Sequence, residues 1–352
     1  MNNRIVSSLC VLCAVLSAIQ RASAQGSLTP PGPPAPTMLT LSQIEPRTPI
    51  TNATAVTIGA SGSYYLTTNI TVGTGTAITI TASGVTLDLN GFTISSTATN
   101  TNGRGIQLAS GVANISILNG HITGGVTNSG GTYSGTGFTD GINYASPAPY
   151  NVRVSGLSVS GCQNAGIFLS TNYSTVVDSC TVQTVGGVGV AASTVTRSTA
   201  YQCGNTAISA NIASDCYGYS TGGNGLVASF SADNCYGVST AGGDGLDAHN
   251  ANNCYGVSGS TGEGLDALTA NNCSGFSAGS GDGLFASCVD NCFGVSTGSG
   301  AGLQSNHTAN SCYGSSTTGT GLAAQNANFC FGTSSSGTPV SVSGNYYNMP
   351  AP

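Results

Sequence analysis

The chain has 352 residues, of which 52 are glycine, none is tryptophan and only 5% are charged, with a formal net charge of −6. All six basic residues are arginine, and neutralising phosphates requires clustered Lys and Arg, which argues against nucleic acid and anionic membrane surfaces as partners. Apolar residues nevertheless make up 39% of the chain, enough to build a core rather than a disordered, low-hydrophobicity segment.

The first element is a leader. Arg4 precedes an apolar stretch running to Ile19, and Ala22-Ser23-Ala24 has the small-x-small form of a signal-peptidase site. Residues 1–24 are read as a signal peptide cleaved after Ala24, so the mature protein is expected to be secreted or held at the cell surface. No later run approaches the roughly 20 apolar residues that span a bilayer. Residues 25–50 hold most of the prolines, which fix φ and donate no backbone hydrogen bond, and are read as an extended lead-in.

From residue 51 the text becomes strand-like. "GSYYLTTNITV", "TAITITASGVTLDLNGFTIS" and "ANISILNGHITGG" alternate β-branched or aromatic residues with small polar ones. A tight repeat follows: Cys180, Ser198, Cys216, Cys235, Cys254, Cys273, Cys292, Cys312 and Cys330 form one column at spacings of 18 to 20 residues. A second column of glycine then an apolar residue includes Gly225-Leu226, Gly245-Leu246, Gly264-Leu265 and Gly283-Leu284.

Self-similarity at such a period marks a stacked architecture. A leucine-rich repeat needs more leucines per unit, a propeller blade needs about twice the length, and the fragment "GGDGLDA" occurs once rather than in the quick succession of a nonapeptide roll. The fold expected is therefore all-β: a single-stranded right-handed parallel β-helix, or solenoid, over residues 51–352, with about twelve coils at ~4.8 Å spacing and a length of roughly 60 Å. Leu246, Ala248 and Ala251 should point inward, and the glycine two residues after each cysteine should keep the interior narrow.

"TMLTLSQIEPRTPI", "GSYYLTTNITV" and "GVTLDLNGFTI" resemble the amino-terminal signature of secreted bacterial right-handed parallel β-helix repeat proteins, relatives in fold of pectate lyases. The resemblance covers nearly all of the mature chain and implies fold far more than function, since many activities share one fold. The polygalacturonase-type catalytic set is not matched: His121 stands in "NGHIT", and without lysine an Arg-x-Lys motif cannot exist.

Export permits disulfides, but in-register parallel side chains point the same way, which strains the dihedral a bridge requires. Cys180, Cys216, Cys235, Cys254, Cys273, Cys292, Cys312 and Cys330 are read as a structural ladder, mostly of free thiols, with some pairing as the alternative. Cys162, Cys203 and Cys288 fall outside it and are expected to be exposed or unusually paired.

Carboxylates cluster on successive repeats. Asp244, Glu263 and Asp282 share one column, and Asp247 and Asp266 a second. Stacked carboxylates raise one another's pKa or share a hard cation such as Ca²⁺ through oxygen ligands, and glycoside hydrolysis needs two of them. They are the catalytic or calcium candidates, while their simpler role is that of turn residues beside glycine. No other cofactor is expected.

Tyr217, Tyr236, Tyr255, Phe293, Tyr313 and Phe331 form an outward aromatic column, interrupted at Ser274. It is a candidate carbohydrate track, or else a self-packing ladder. The function expected is non-catalytic recognition of an extracellular polysaccharide or cell-surface component, or a structural and adhesive role. The alternative is a polysaccharide lyase or glycoside hydrolase using the stacked carboxylates.

Overall fold

A computed structural model describes residues 45–171 and 174–348. Residues 1–44, which include the expected signal peptide and most of the expected lead-in, lie outside the described residues. From Arg47 onward the chain forms one compact unit, a parallel β-solenoid of about 16 turns, with no helix among the described residues. Its first paired strand, Thr48–Ile50, lies against Gly62–Leu66.

Each late rung has the same three faces. The strand Leu246–Asn252 pairs in parallel with Leu226–Asp233 before it and Leu265–Asn271 after it. Leu246, Ala248 and Ala251 are buried, whereas His249 and Asn250 are both exposed. Two consecutive outward residues break the period-2 alternation of a strand and mark a bend. The first face is thus Leu246-Asp247-Ala248 and the second Asn250-Ala251-Asn252. The third is the short strand Tyr255–Ser258, paired with Tyr236–Ser239 and Ser274–Ser277.

The corner between the second and third faces explains the asparagine that precedes each cysteine. Asn253, Asn272 and Asn291 all have φ of 52°, the left-handed region that asparagine tolerates better than most residues because its side chain bonds locally. The same column runs through Asn119, Ser179, Arg197 and Asp215 to Ser311, Phe329 and Asn348. At this corner a backbone amide would lose its partner, and the next rung's cysteine supplies one. The N–H groups of Cys254, Cys273 and Cys292 donate at 3.4 Å to the Sγ atoms of Cys273, Cys292 and Cys312. The Cys273 thiol in turn donates to the Asn271 carbonyl at 3.1 Å. Ser198 does the same work with oxygen: its Oγ accepts from Cys180 N–H at 3.1 Å and donates to the Thr196 carbonyl at 2.7 Å.

All eleven cysteines from Cys162 to Cys330 are free and ten are buried. The expectation for Cys162 and Cys203 is corrected: both are fully buried. They belong to an inward column at the end of the third face, in which Cys162, Val185, Cys203 and Ser220 lie in register. Burial, with the Asp140 carboxylate adding to it, pushes the Cys162 thiol up to about 12. Cys288 is the exposed one.

Serine fills that inward column in the later rungs. Ser258, Ser277 and Ser296 donate to the carbonyls of Gly243, Gly262 and Gly281 at 3.0–3.1 Å, tying each short strand to the loop of the preceding rung. Opposite them the interior closes completely: a Cβ on Gly256 would lie 2.0 Å from the Gly264 carbonyl oxygen.

The turn count exceeds the twelve expected because the cysteine repeat marks only the later rungs. Earlier ones are filled by Leu66, Ile78, Leu87, Ile106 and Ile117, all fully buried. Two strands, Ala113–Thr123 and Tyr150–Cys162, run longer than any in the later rungs and turn their corners at Asn114, Asn119 and Asn151. One hairpin departs from the winding: Thr127–Ser129 and Thr132–Ser134 pair antiparallel.

Candidate functional site

The five candidate carboxylates lie along three successive rungs, Asp247 and Asp266 on the first face and Asp244, Glu263 and Asp282 in the loop before it. Asp247 lies opposite Asp266, and both are half-buried. In the adjoining column both aspartates satisfy a backbone amide of the next rung: Asp244 Oδ1 accepts from Glu263 N–H at 2.9 Å, and Asp282 Oδ1 from Ala301 N–H at 2.7 Å. Asn224 begins the series, accepting from Asp244 N–H at 3.1 Å. Burial, then the bond and charge of Asp244, push the Glu263 carboxyl up to about 7. Burial, then the charges of Asp247 and Asp244, push Asp266 up to about 6. Asp247 and Asp282 are also raised, chiefly by burial.

This patch therefore holds protons near neutrality and braces the loops above it. Among the described residues no three His, Cys, Asp or Glu side chains converge as a metal cage. The hairpin lies elsewhere, its Tyr133 hydroxyl 2.8 Å from Thr221 Oγ1 and its side chain against Gly186 and Gly204. The arginines are remote: Arg104 bonds the buried Asp140 at 3.2 Å, Arg197 pairs with Asp178, and Arg153 is exposed.

The aromatic column forms two stacks. Tyr217, Tyr236 and Tyr255 follow one another with ring centroids 5.2 and 4.9 Å apart, and Tyr201 extends the stack at its start. Phe293, Tyr313 and Phe331 form the second, at 5.1 and 5.7 Å. Most ring faces are thus covered by a neighbouring ring, and the stacks present edges to solvent. Open faces occur where a stack ends.

The second face was not singled out by the sequence. Its outward columns are mostly amides and hydroxyls, with one carboxylate and one thiol: Asn252, Asn271, Asp290, Asn310, Asn328 and Tyr347 lie in register, as do Thr269, Cys288, Thr308 and Asn326. Between them run the small inward side chains Ala270, Val289, Ala309 and Ala327, all buried. The result is a furrow along the winding axis, with two hollows of about 290 and 520 Å³ that share Thr308 and Asn310. The Oδ1 atom of Asn328 is buried there without a partner. The signal that could have found it is the polar-Ala-polar alternation in "NANNC", "TANNC" and "TANSC", which on a strand puts both polar residues on one side.

Comparison with family models, with curated protein sequences and with solved structures gave no match to this chain.

Proposed function

We propose that this is an exported solenoid that recognises an extracellular polysaccharide without turning it over. The single observation that carries this reading is the furrow of the second face. An asparagine amide offers an acceptor and two donors, the complement of sugar hydroxyls, and here amides and hydroxyls recur at the rung spacing of ~4.8 Å, as a repeating polymer requires. The furrow is almost uncharged, which suits a neutral glycan. The leader-like residues 1–24 and the resemblance to secreted parallel β-helix proteins support export.

The test is binding to a glycan array and to insoluble polysaccharides. Asn310→Ala and Asn328→Ala should each weaken binding about tenfold, the effect of one lost polar contact. Absence of binding to every glycan would sink the reading.

A second reading, hydrolysis or elimination by the stacked carboxylates, is favoured by the Glu263 carboxyl at about 7 beside Asp244, since a general acid needs a pKa near the working pH. It predicts release of reducing sugar or unsaturated uronide, abolished in Asp244→Asn or Asp282→Asn.

A further inference from the structure

The aromatic ladder lacks one ring, and the gap has a definite size. Tyr255, Ser274 and Phe293 are register partners on consecutive rungs, so the two rings flank a serine across two rung spacings, about 9.6 Å. A ring set midway would lie about 4.8 Å from each, close to the 4.9–5.7 Å between neighbours within the stacks. Phe293 and Phe331, which end the second stack, are 44% and 45% exposed, whereas Tyr313 between them is half-buried; Tyr255, at 40%, is exposed to nearly the same degree as Tyr236, at 38%. Phe276, two residues beyond Ser274 on the same rung, is half-buried and lies in register between Val257 and Val295.

The gap is amphipathic. Its walls are the faces of Tyr255 and Phe293 and its floor carries the Ser274 hydroxyl. Along one rim run the exposed corner amides of Asn253, Asn272 and Asn291. Asn291 Nδ2 donates to Asn272 Oδ1, which leaves the Asn272 NH₂ group to donate outward. Apolar above and below with a polar rim describes a pyranose, whose C–H groups lie on its two faces and whose hydroxyls lie at its edge. A plain aromatic side chain would use the walls and leave the floor and rim unmatched.

We infer that the notch over Ser274 is a binding site for a single pyranose ring, sandwiched between Tyr255 and Phe293 with its hydroxyls on Ser274 and Asn272. The inference rests on the polysaccharide reading and adds to it the place where one sugar of the chain is gripped. It also assigns Ser274 a role: the one serine in an otherwise aromatic run keeps the slot open.

The test is Ser274→Tyr, which completes the ladder. On the glycan that the wild-type protein binds best, Ser274→Tyr should lose at least tenfold in affinity while its thermal midpoint rises, and Ser274→Ala, which removes one polar contact but keeps the slot open, should lose less than Ser274→Tyr. Saturation-transfer NMR should show ring C–H protons of the sugar in contact with the wild-type protein, and this signal should vanish in Ser274→Tyr. Should Ser274→Tyr fail to fold, Tyr255→Ser and Phe293→Ser, which remove the walls, should each give the same loss. Undiminished binding by Ser274→Tyr, or by both wall variants, would overturn the notch while leaving polysaccharide recognition standing. A wild-type protein that binds no glycan would overturn both.

Discussion

Phe329 occupies the corner column at φ 53° and is 61% exposed, where most of the later rungs place asparagine. A bulky residue in the left-handed region costs about 1–2 kcal/mol, and an exposed ring recovers little of that through burial. Phe329→Asn should therefore stabilise the protein by about 1 kcal/mol, read as a rise in the denaturant midpoint at unchanged slope. A neutral or destabilising result would mean that the corner does not select its residue by backbone conformation. Asn234, whose amide donates to Asp215 Oδ1 at 3.2 Å, shows the further gain available to an amide in this column.

At the scale of the element, the tie between a short strand and the preceding loop can be weighed by an internal control. Ser277 Oγ is buried and donates to the Gly262 carbonyl at 3.1 Å, whereas Ser239 Oγ, in the same column, is buried with no partner. Ser277→Ala should cost about 1 kcal/mol, the net worth of a hydrogen bond, and Ser239→Ala should cost nothing or stabilise, since it removes an unsatisfied polar atom. Equal losses would show that the column acts only through volume. These ties were not legible in the sequence, because a serine in a Ser/Thr/Gly run looks like any turn residue until its rung is stacked on another. The columns themselves were legible: leucine, glycine and cysteine at a fixed period fix both the fold and its register. What the cysteines do was hidden, since their partners are backbone amides one rung away; Ser198 is the clue, a hydroxyl where only an acceptor and donor of similar size would serve. The acidic and aromatic columns could be found from spacing alone, but the coverage of one ring by the next could not. The amide furrow was passed over because asparagine beside a corner and asparagine on a face read alike in one dimension.

Over the whole solenoid, charge is sparse and uneven, and this sets how stability responds to pH. Each rung rests on its neighbours, so a weak group of rungs opens locally before the rest. The acidic rungs are such a group at neutral and alkaline pH. Glu263 titrates at about 7 against an ordinary 4.5, and Asp266 at about 6 against 3.8. A carboxyl whose folded pKa is raised binds its proton more tightly in the folded state, so its stabilising contribution is complete below the unfolded value and is lost as pH rises through the folded one. Asp178 works the other way: the Thr196 hydrogen bond, and then Arg197, lower its pKa against the cost of burial, so its contribution is lost only as pH falls below about 3.8. The unfolding midpoint should therefore be highest in mildly acidic solution and decline between about pH 4.5 and pH 7. Hydrogen exchange, corrected for intrinsic rates, should place the loosening at pH 8 in Leu246–Asn252 and Leu265–Asn271 rather than in the isoleucine-filled early rungs. Glu263→Gln, which removes the titrating group and keeps its shape, should flatten the decline and raise the midpoint at pH 8. Stability that holds level or climbs from pH 5 to pH 8 would mean that the acidic side chains are solvated well enough to ionise freely, and with that the proton-holding patch would be lost.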